Sequence, residues 1–330
     1  MRVYLSIIFS LLMLMVYGQD KKYVTVKKSL TLMGERFDFT VVSVNEELAY
    51  INIQEAVGEI RRIEKLISSW DPESETSLIN QNAGIKPVKV SIELFKLIDR
   101  SKQISEITNG AFDITFASMD KVWKFDGSMT DIPSKQEIEN GIGKIGHQSI
   151  ILDNSEKTVF LKKPGMKISF GAIGKGYAAD RAKELLVSKK VVAGVINASG
   201  DITTWGTKAT GEKWLIGIAN PSNQKKVVSW LPILESSVAI AGSSKKYILF
   251  NGKKYSNIIN PFTGIPTSGE VQVTVFAKSA ELCDALATAI LVMGKDAGLS
   301  LVNQLGGTEA IIKENETIYK SSGIILDQEP

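Results

Sequence analysis

The first part of the chain changes from an alternating pattern of apolar residues to a helical one. Residues 22–44 are rich in β-branched side chains and alternate around Gly34, which predicts two strands joined by a turn. From 46 to 69 the apolar residues recur every three or four positions, as in an amphipathic helix. The polar segment 71–84, DPESETSLINQNAG, is predicted to be a capped loop.

Helical and strand-like segments then follow each other without a strict alternation. Ser91, with a glutamate placed for a capping box, predicts a helix over about 92–108, and helices are also predicted within 132–146, over 175–189 and over 280–294. Residues 149–172 resemble a strand pair that turns at Asp153-Asn154-Ser155. This order favours an α+β fold of antiparallel sheets with packed helices over a nucleotide-binding βαβ array.

Composition excludes several classes of function. The 330 residues carry a formal net charge of +3 with the two signs mixed along the chain, so no basic stripe indicates nucleic-acid binding. The single cysteine, Cys283, excludes an internal disulfide and is predicted to be a small core residue. The single histidine, His147, excludes a histidine-rich zinc site and is predicted to lie in a turn.

The N-terminus is predicted to be a secretory signal peptide, residues 1–18, followed by a single domain over 19–330. One arginine precedes an apolar run that ends in Val16-Tyr17-Gly18, and a polar segment follows. No cysteine follows the run to carry a lipid anchor. We therefore expect export to the periplasm or cell envelope, with an uncleaved membrane anchor as the alternative.

Two segments carry the main candidate chemistry. In 171–176, GAIGKG, glycines and Lys175 stand between a predicted strand and a helix start, an arrangement that suits an anion, although such a turn is often only a turn. In the helix 280–294, Asp284 and Thr288 share one face of an otherwise apolar pattern. A hard cation such as Mg²⁺ would satisfy these oxygens; the alternative is an aspartate at the solvent boundary and a threonine bonded to its own helix.

Four weaker segments add to these two. In 196–206 a strand ends before Ser199-Gly200-Asp201, which by itself is typical of a plain β-turn. The segment 108–116 would let the backbone approach a ligand closely, and the segment 68–84 offers an aromatic face for stacking. In 255–264, YSNIINPFTG, a strand enters a Pro-Gly turn, and its two asparagines suit either turn caps or an altered site.

Taken together, these segments resemble the ApbE family, the FAD:protein FMN transferases, in order and spacing over about residues 30–300. The similar motifs are LMG at 32–34, WDPESETSLIN at 70–80, GAFDIT at 110–115, GAIGKGYAADRA at 171–182, NASGDI at 197–202 and CDALATAILVMG at 283–294. The occurrence of six motifs in the same order makes a chance similarity very unlikely.

The resemblance implies a T-fold-like, exported, Mg²⁺-dependent enzyme. Such an enzyme splits FAD, releases AMP and attaches FMN through a phosphoester to a Thr or Ser of an exported partner, such as a redox-pump subunit or an FMN-binding domain. It implies a metal held by Asp284, Thr288 and the carbonyl of Ala172, with Asp284, Lys175 and Asn257 at catalytic positions. The implied FAD contacts are Met33, Trp70, Ala111, Phe112, Asp113, Ser169, Lys175 and Ile259. Any membrane contact is expected only through the partner or an uncleaved leader.

The chain departs from the family pattern at four positions. The family usually has His and Asp where Asn257 and Asn260 stand, Asp at Ser169, and Gly at Ala172. An amide does not titrate near neutral pH, so Asn257 cannot act as an acid or base. Two alternatives to transfer therefore stay open: an FAD-binding homologue with impaired catalysis, and an FAD pyrophosphatase that releases FMN and AMP.

Overall fold

The computed structural model describes residues 23–220, 223–233, 235–242, 247–250, 252–315 and 317–325. The predicted signal peptide lies outside the described residues. Within these ranges the strands are β1 Val24–Leu32, β2 Glu35–Ser43, β3 Val88–Lys89, β4 Ile150–Asp153, β5 Thr158–Leu161, β6 Ala193–Ala198, β7 Asp201–Trp205, β8 Trp214–Asn220, β9 Asn223–Ile233, β10 Ser237–Gly242, β11 Tyr247–Phe250, β12 Lys253–Ser256, β13 Val271–Ala277, β14 Glu309–Glu314 and β15 Thr317–Lys320.

The helices of the described residues are α1 Glu46–Ile67, α2 Glu75–Gln81, α3 Ile92–Ile107, α4 Lys135–Ile142, α5 Gly174–Ser188, α6 Ala280–Met293 and α7 Lys295–Val302. Two 3₁₀ turns, Ile114–Met119 and His147–Ser149, complete them. None of the helices in this part of the chain has the length and apolar character needed to cross a membrane.

One eight-stranded sheet organises the molecule. Its strand order is β1-β2-β6-β7-β10-β13-β14-β15, and every pairing is antiparallel. Phe37 and Phe39 of β2 are fully buried in a core that also contains Ile53 and Ile60 of α1 and Ala178 of α5. Helix α6 packs on β10 and β13 in a second core. The α+β prediction is confirmed.

Smaller sheets extend the main one. The order β3-β5-β4 forms a three-stranded sheet, and β8-β9 and β11-β12 form two hairpins. The predicted turn at Asp153-Asn154-Ser155 joins β4 to β5, and the Asp153 carboxylate accepts hydrogen bonds from the Ser155 and Glu156 amides. The predicted turn at Gly34 joins β1 to β2.

Helix capping corrects two of the sequence predictions. The segment 71–84 is not simply a loop, because Ser74 caps α2 inside it by accepting from the Ser77 amide. Ser91 caps α3 through the Leu94 amide, as predicted, but the capping box within that segment is wrong. The Ser91 amide instead donates to Glu75 at 2.7 Å, so the closing carboxylate comes from α2.

Cys283 is fully buried, as predicted. It lies in the core between α6 and the sheet, and its thiol donates to the Ser237 carbonyl oxygen at 3.4 Å. Burial raises the pKa of the Cys283 thiol well above its ordinary value, which favours the neutral form. The residue therefore behaves as a structural side chain.

Candidate active site

A cleft of about 220 Å³ opens where the starts of α5, α6 and β7 meet. It brings together most of the site residues predicted from the sequence, although they are far apart in the chain. The predicted residues that line it are Ala111, Phe112, Asp113, Ala172, Lys175, Asn257, Ile259, Asp284 and Thr288. The cleft is also lined by Glu35, Ser199 and Asp201, which the sequence did not single out as site residues.

Met33, Trp70 and Ser169, three predicted FAD contacts, do not line this cleft. Trp70 is 87% exposed on the loop before α2. Ser169 lies 3.5 Å from Ser69, hydroxyl to hydroxyl. Met33 sits in the hairpin turn between β1 and β2 with a φ of 52°. Their contact with FAD remains a prediction.

The glycine-rich segment 171–176 has a different structural role from the one that the sequence suggested. A Cβ on Gly174 would lie 2.7 Å from the Ile67 side chain, and one on Gly176 would overlap the Ala280 carbonyl oxygen. These glycines therefore let the start of α5 approach α1 and α6 closely. Only Gly171 lines the cleft itself, whereas Lys175 is the second residue of α5, as the pattern predicted.

Lys175, Asp201 and Asp284 form a charged cluster at the bottom of the cleft. The Lys175 Nζ lies 2.9 Å from Asp201 Oδ2 and 3.5 Å from Asp284 Oδ2. Both aspartates are almost completely buried, while a quarter of the lysine side chain is exposed. Neither Oδ2 has a well-directed hydrogen bond among the described residues, so the contacts with Lys175 are ion pairs.

The surroundings shift the protonation of this cluster. Burial raises the pKa of the Asp284 carboxyl to about 7; the Asp201 charge adds to this effect, and Lys175 opposes it. Burial by itself would lower the pKa of Lys175, but the charges of Asp201 and Asp284 outweigh it, so that pKa is raised. Lys175 is therefore a cation, and Asp284 has room for a further positive partner.

Helix α6 holds Asp284 and Thr288 one turn apart, and both side chains reach the cleft. Ser279 caps α6, and the Asp180 carboxylate of α5 accepts a hydrogen bond from the Glu281 amide at 2.9 Å. The Gly176 amide favours the ionised Asp284 carboxylate and so lowers its pKa, against the effect of burial. Contacts between α5 and α6 therefore position Asp284 relative to Lys175.

Asp113, in the loop that follows α3, has hydrogen-bond partners at both carboxylate oxygens. Its Oδ1 accepts hydrogen bonds from the Thr115 amide at 2.9 Å and hydroxyl at 2.6 Å. Its Oδ2 accepts from the His147 amide at 2.8 Å and lies 3.2 Å from His147 Nδ1. His147 stands in a 3₁₀ turn, as predicted, but is buried against Asp113, a pairing that no local sequence signal indicates.

The segment 257–264 contains several wall residues of the cleft and one turn cap. Asn257 is exposed and lines the cleft with Ile259. The Asn260 Oδ1 accepts hydrogen bonds from the Phe262 amide at 2.9 Å and the Thr263 amide at 3.3 Å, and Gly264 has a φ of 65°. Asn260 is thus a structural cap, a function that an aspartate would also perform.

Asp201 is the main residue that the sequence underestimated. The local sequence of this segment is typical of a plain turn, and the structure does contain a turn at Ser199-Gly200 between β6 and β7. The sheet register then places Asp201 at the start of β7, beside Lys175. The only available signal was the similarity of NASGDI to the family motif, because charge pairing across the fold is not visible in a local pattern.

Comparisons with known proteins agree on one family. A sequence profile described as the ApbE family matches residues 33–312. The chain is 31% identical over 297 residues to an FAD:protein FMN transferase of Klebsiella pneumoniae (strain 342), covering 89% of this chain and 91% of the relative. It superposes on the crystal structure of the ApbE protein from Thermotoga maritima with a TM-score of 0.84 at 28% identity, covering 91% and 97% of the two chains. The apo flavinyl transferase ApbE of Pseudomonas stutzeri has the same fold, with a TM-score of 0.78 at 24% identity, covering 91% and 94%.

Proposed function

The chain belongs to the ApbE family, and on that premise we propose that it is an FAD:protein FMN transferase. It breaks the FAD pyrophosphate, releases AMP and joins FMN through a phosphoester to a Thr or Ser of a partner protein. The observation that carries this proposal is the cluster of Lys175, Asp201 and Asp284 at the bottom of an open cleft. Such a cluster suits a pyrophosphate together with a cation.

The donor set of the cleft fits Mg²⁺. Asp284 Oδ2 is buried and lacks a directed hydrogen bond among the described residues, and burial disfavours its ionised form unless a cation is near. Thr288 and Ala172 line the same cleft and offer a hydroxyl and a carbonyl oxygen. The described residues contain no group of three or more His, Cys, Asp or Glu side chains that could hold a metal. Mg²⁺ usually takes few protein ligands and completes its shell with phosphate and water.

Mg²⁺ bound by Asp284, Thr288 and the Ala172 carbonyl would neutralise charge on the phosphate oxygens. Lys175, which its two aspartate neighbours keep protonated, binds the same phosphates from the start of α5. Asp201 holds the lysine in place through the 2.9 Å ion pair. Positioning and charge neutralisation account for most of the catalysis of phosphoryl transfer.

Apolar residues form another part of the cleft wall and suit the flavin ring. Ala111 and Phe112 lie on the loop that Asp113 and His147 hold in place, and Ile259 lies on the segment after β12. The isolated pairing of Ile259 with Pro266 ties that segment to the chain that follows the turn. These side chains exclude water from one side of the bound substrate.

The proposed compartment is based on the N-terminal sequence, and the proposed partner on the family resemblance. The predicted signal peptide, residues 1–18, supports export to the periplasm or cell envelope, where the acceptor is an exported protein with a flavin attachment site. Cell fractionation with N-terminal sequencing of the mature chain tests this part. Recovery of the protein in the cytoplasm with the leader intact would contradict it.

The central experiment incubates the purified protein with FAD, Mg²⁺ and an acceptor domain that carries a flavin attachment motif. We expect covalent FMN on one Thr or Ser of the acceptor and one AMP for each FMN transferred, with loss of transfer when Mg²⁺ is chelated. Free FMN and AMP at the same rate without acceptor would identify a pyrophosphatase. Tightly bound FAD that is never turned over would identify a binding protein.

A further inference from the structure

Transfer to a hydroxyl requires a group that takes the hydroxyl proton. Asn257 stands in the cleft wall, and its amide cannot perform this step. The candidates are therefore the other charged side chains that line the cleft within the described residues: Glu35, Asp113, Lys175, Asp201 and Asp284.

Four of these five groups are already engaged. Lys175 is protonated and pairs with Asp201, and Asp284 belongs to the proposed metal site. Asp113 accepts hydrogen bonds at both carboxylate oxygens from Thr115 and His147, so this carboxylate is already engaged in holding its loop. His147 itself is buried and does not line the cleft.

Glu35 is placed differently. It is exposed in the cleft and begins β2, directly after the two-residue turn of Met33 and Gly34. Its Oε2 accepts a hydrogen bond from the Ser199 hydroxyl at 3.3 Å, and among the described residues no other hydrogen bond or ion pair engages this carboxylate. The contact joins Glu35 to the turn that leads into Asp201.

The sheet register explains why Glu35 reaches the cleft. Side chains two residues apart in a strand share one face, so Glu35 lies on the same face of β2 as Phe37 and Phe39, which are buried under the helices. The pairing of Phe37 with Ala198 brings the start of β2 beside the turn between β6 and β7. Glu35 therefore stands where the helix-covered face of the sheet ends at the cleft.

We propose that Glu35 is the catalytic residue that accepts the proton from the acceptor hydroxyl. This inference rests on the proposed transferase function. The acceptor oxygen forms a bond to the FMN phosphorus while the bond from that phosphorus to the bridging pyrophosphate oxygen breaks. The bridging oxygen leaves with its electron pair as part of AMP. The proton passes to the Glu35 carboxylate and then to solvent, so no further reactant is needed.

Glu35→Gln tests the proposal, with Asp38→Asn as the matched control. Asp38 is another carboxylate of β2, but it lies on the opposite face, where it pairs with Arg36 at 2.9 Å. We expect E35Q to lower the rate constant for FMN transfer by about 10²–10⁴-fold, the usual effect of losing a general base. The affinity for FAD, measured by flavin fluorescence, should not change in E35Q, and D38N should transfer at the wild-type rate.

A second variant separates proton transfer from a structural effect. In an E35Q/N257H double variant, a titratable imidazole stands in the same cleft, and we expect transfer to recover well above the rate of E35Q. Transfer by E35Q as fast as by D38N overturns the proposal, as does a loss of FAD affinity that equals the loss in rate. A wild-type protein that transfers to no acceptor overturns the proposed function itself and this inference with it.

Discussion

At the starts of α5 and α6, three charged side chains meet in the cleft, whereas the segment from Asn257 to Pro261 lines the same cleft without any charge. The charged region is assembled by close helix packing, at Gly176 and through the Asp180 contact with α6. The neutral region is shaped by a turn that Asn260 caps. We propose that the charged region controls reactivity, whereas the turn capped by Asn260 shapes the neutral wall of the cleft.

The largest effect expected from this comparison of the two regions tests the charged region directly. Asp284→Asn should lower FMN transfer on the order of 10²–10³-fold, because one charge at the phosphates is lost. Its free energy of unfolding should stay the same or rise, because a buried carboxyl with a pKa of about 7 becomes a neutral amide. Asp296→Asn, an exposed change in α7, serves as the control in acceptor assays and urea unfolding. Equal rates of FMN transfer by D284N and D296N would contradict the proposal that the charge of Asp284 contributes to transfer.

The next effect tests whether helix packing builds the charged region. Gly176→Ala places a methyl group against the Ala280 carbonyl, so α5 and α6 must separate. We expect a loss of about 1–3 kcal/mol in the free energy of unfolding, together with reduced transfer. Gly58→Ala is the matched control, because Gly58 lies in α1 with open space around it, and alanine there should stabilise the helix by about 0.5–1 kcal/mol. If G176A is as stable as G58A in urea unfolding, the close approach of α5 to α6 is not needed for stability.

A pH titration of stability tests the Asp180 contact. Burial raises the pKa of Asp180 to about 6, above the value of about 3.9 in an unfolded chain, although the Glu281 and Ala280 amides oppose the shift. The folded protein therefore binds more protons than the unfolded chain between these values, and this group makes stability fall as pH rises from about 4 to 6.

The comparison with Asp180→Asn isolates that contribution. The stability of the wild type relative to D180N should decrease over this pH window by on the order of 1–3 kcal/mol and be constant above it. Chemical unfolding of both proteins at a series of pH values measures the difference. A difference that does not change with pH would show that Asp180 ionises in the folded protein as it does in the unfolded chain.

The smallest effects belong to the neutral region. Asn260→Ala removes the acceptor of two backbone amides and should cost about 1 kcal/mol of stability. Asn260→Asp keeps an acceptor oxygen and should stay within about 0.5 kcal/mol of the wild type. Thermal unfolding of the pair, with FAD binding as a second readout, tests whether this residue serves the turn alone. A large loss of FAD affinity in N260D would give the turn a role in binding.

The predictability of the site differed from residue to residue. Asp284 and Thr288 are predictable because a helix repeats every 3.6 residues, so their spacing in the sequence places them on one face. Asp201 and Glu35 were not identified, because each reaches the cleft through the register of the eight-stranded sheet. The sequence also predicted the wrong glutamate as the partner of the Ser91 amide. The true partner, Glu75, lies in another helix and carries no local signal.

The sequence by itself determined most of the elements, the α+β class, the buried Cys283 and the family, because periodicity, caps and ordered motifs are local properties of the chain. Only the tertiary structure decided which carboxylates share the cleft, which glycines separate helices rather than contact a ligand, and that Asn260 is a cap while Asn257 faces the cleft. The reason is physical. Pairing across a sheet and close packing between helices bring together residues whose separation along the chain carries no periodic signal, and the energy of a buried charge depends on those neighbours.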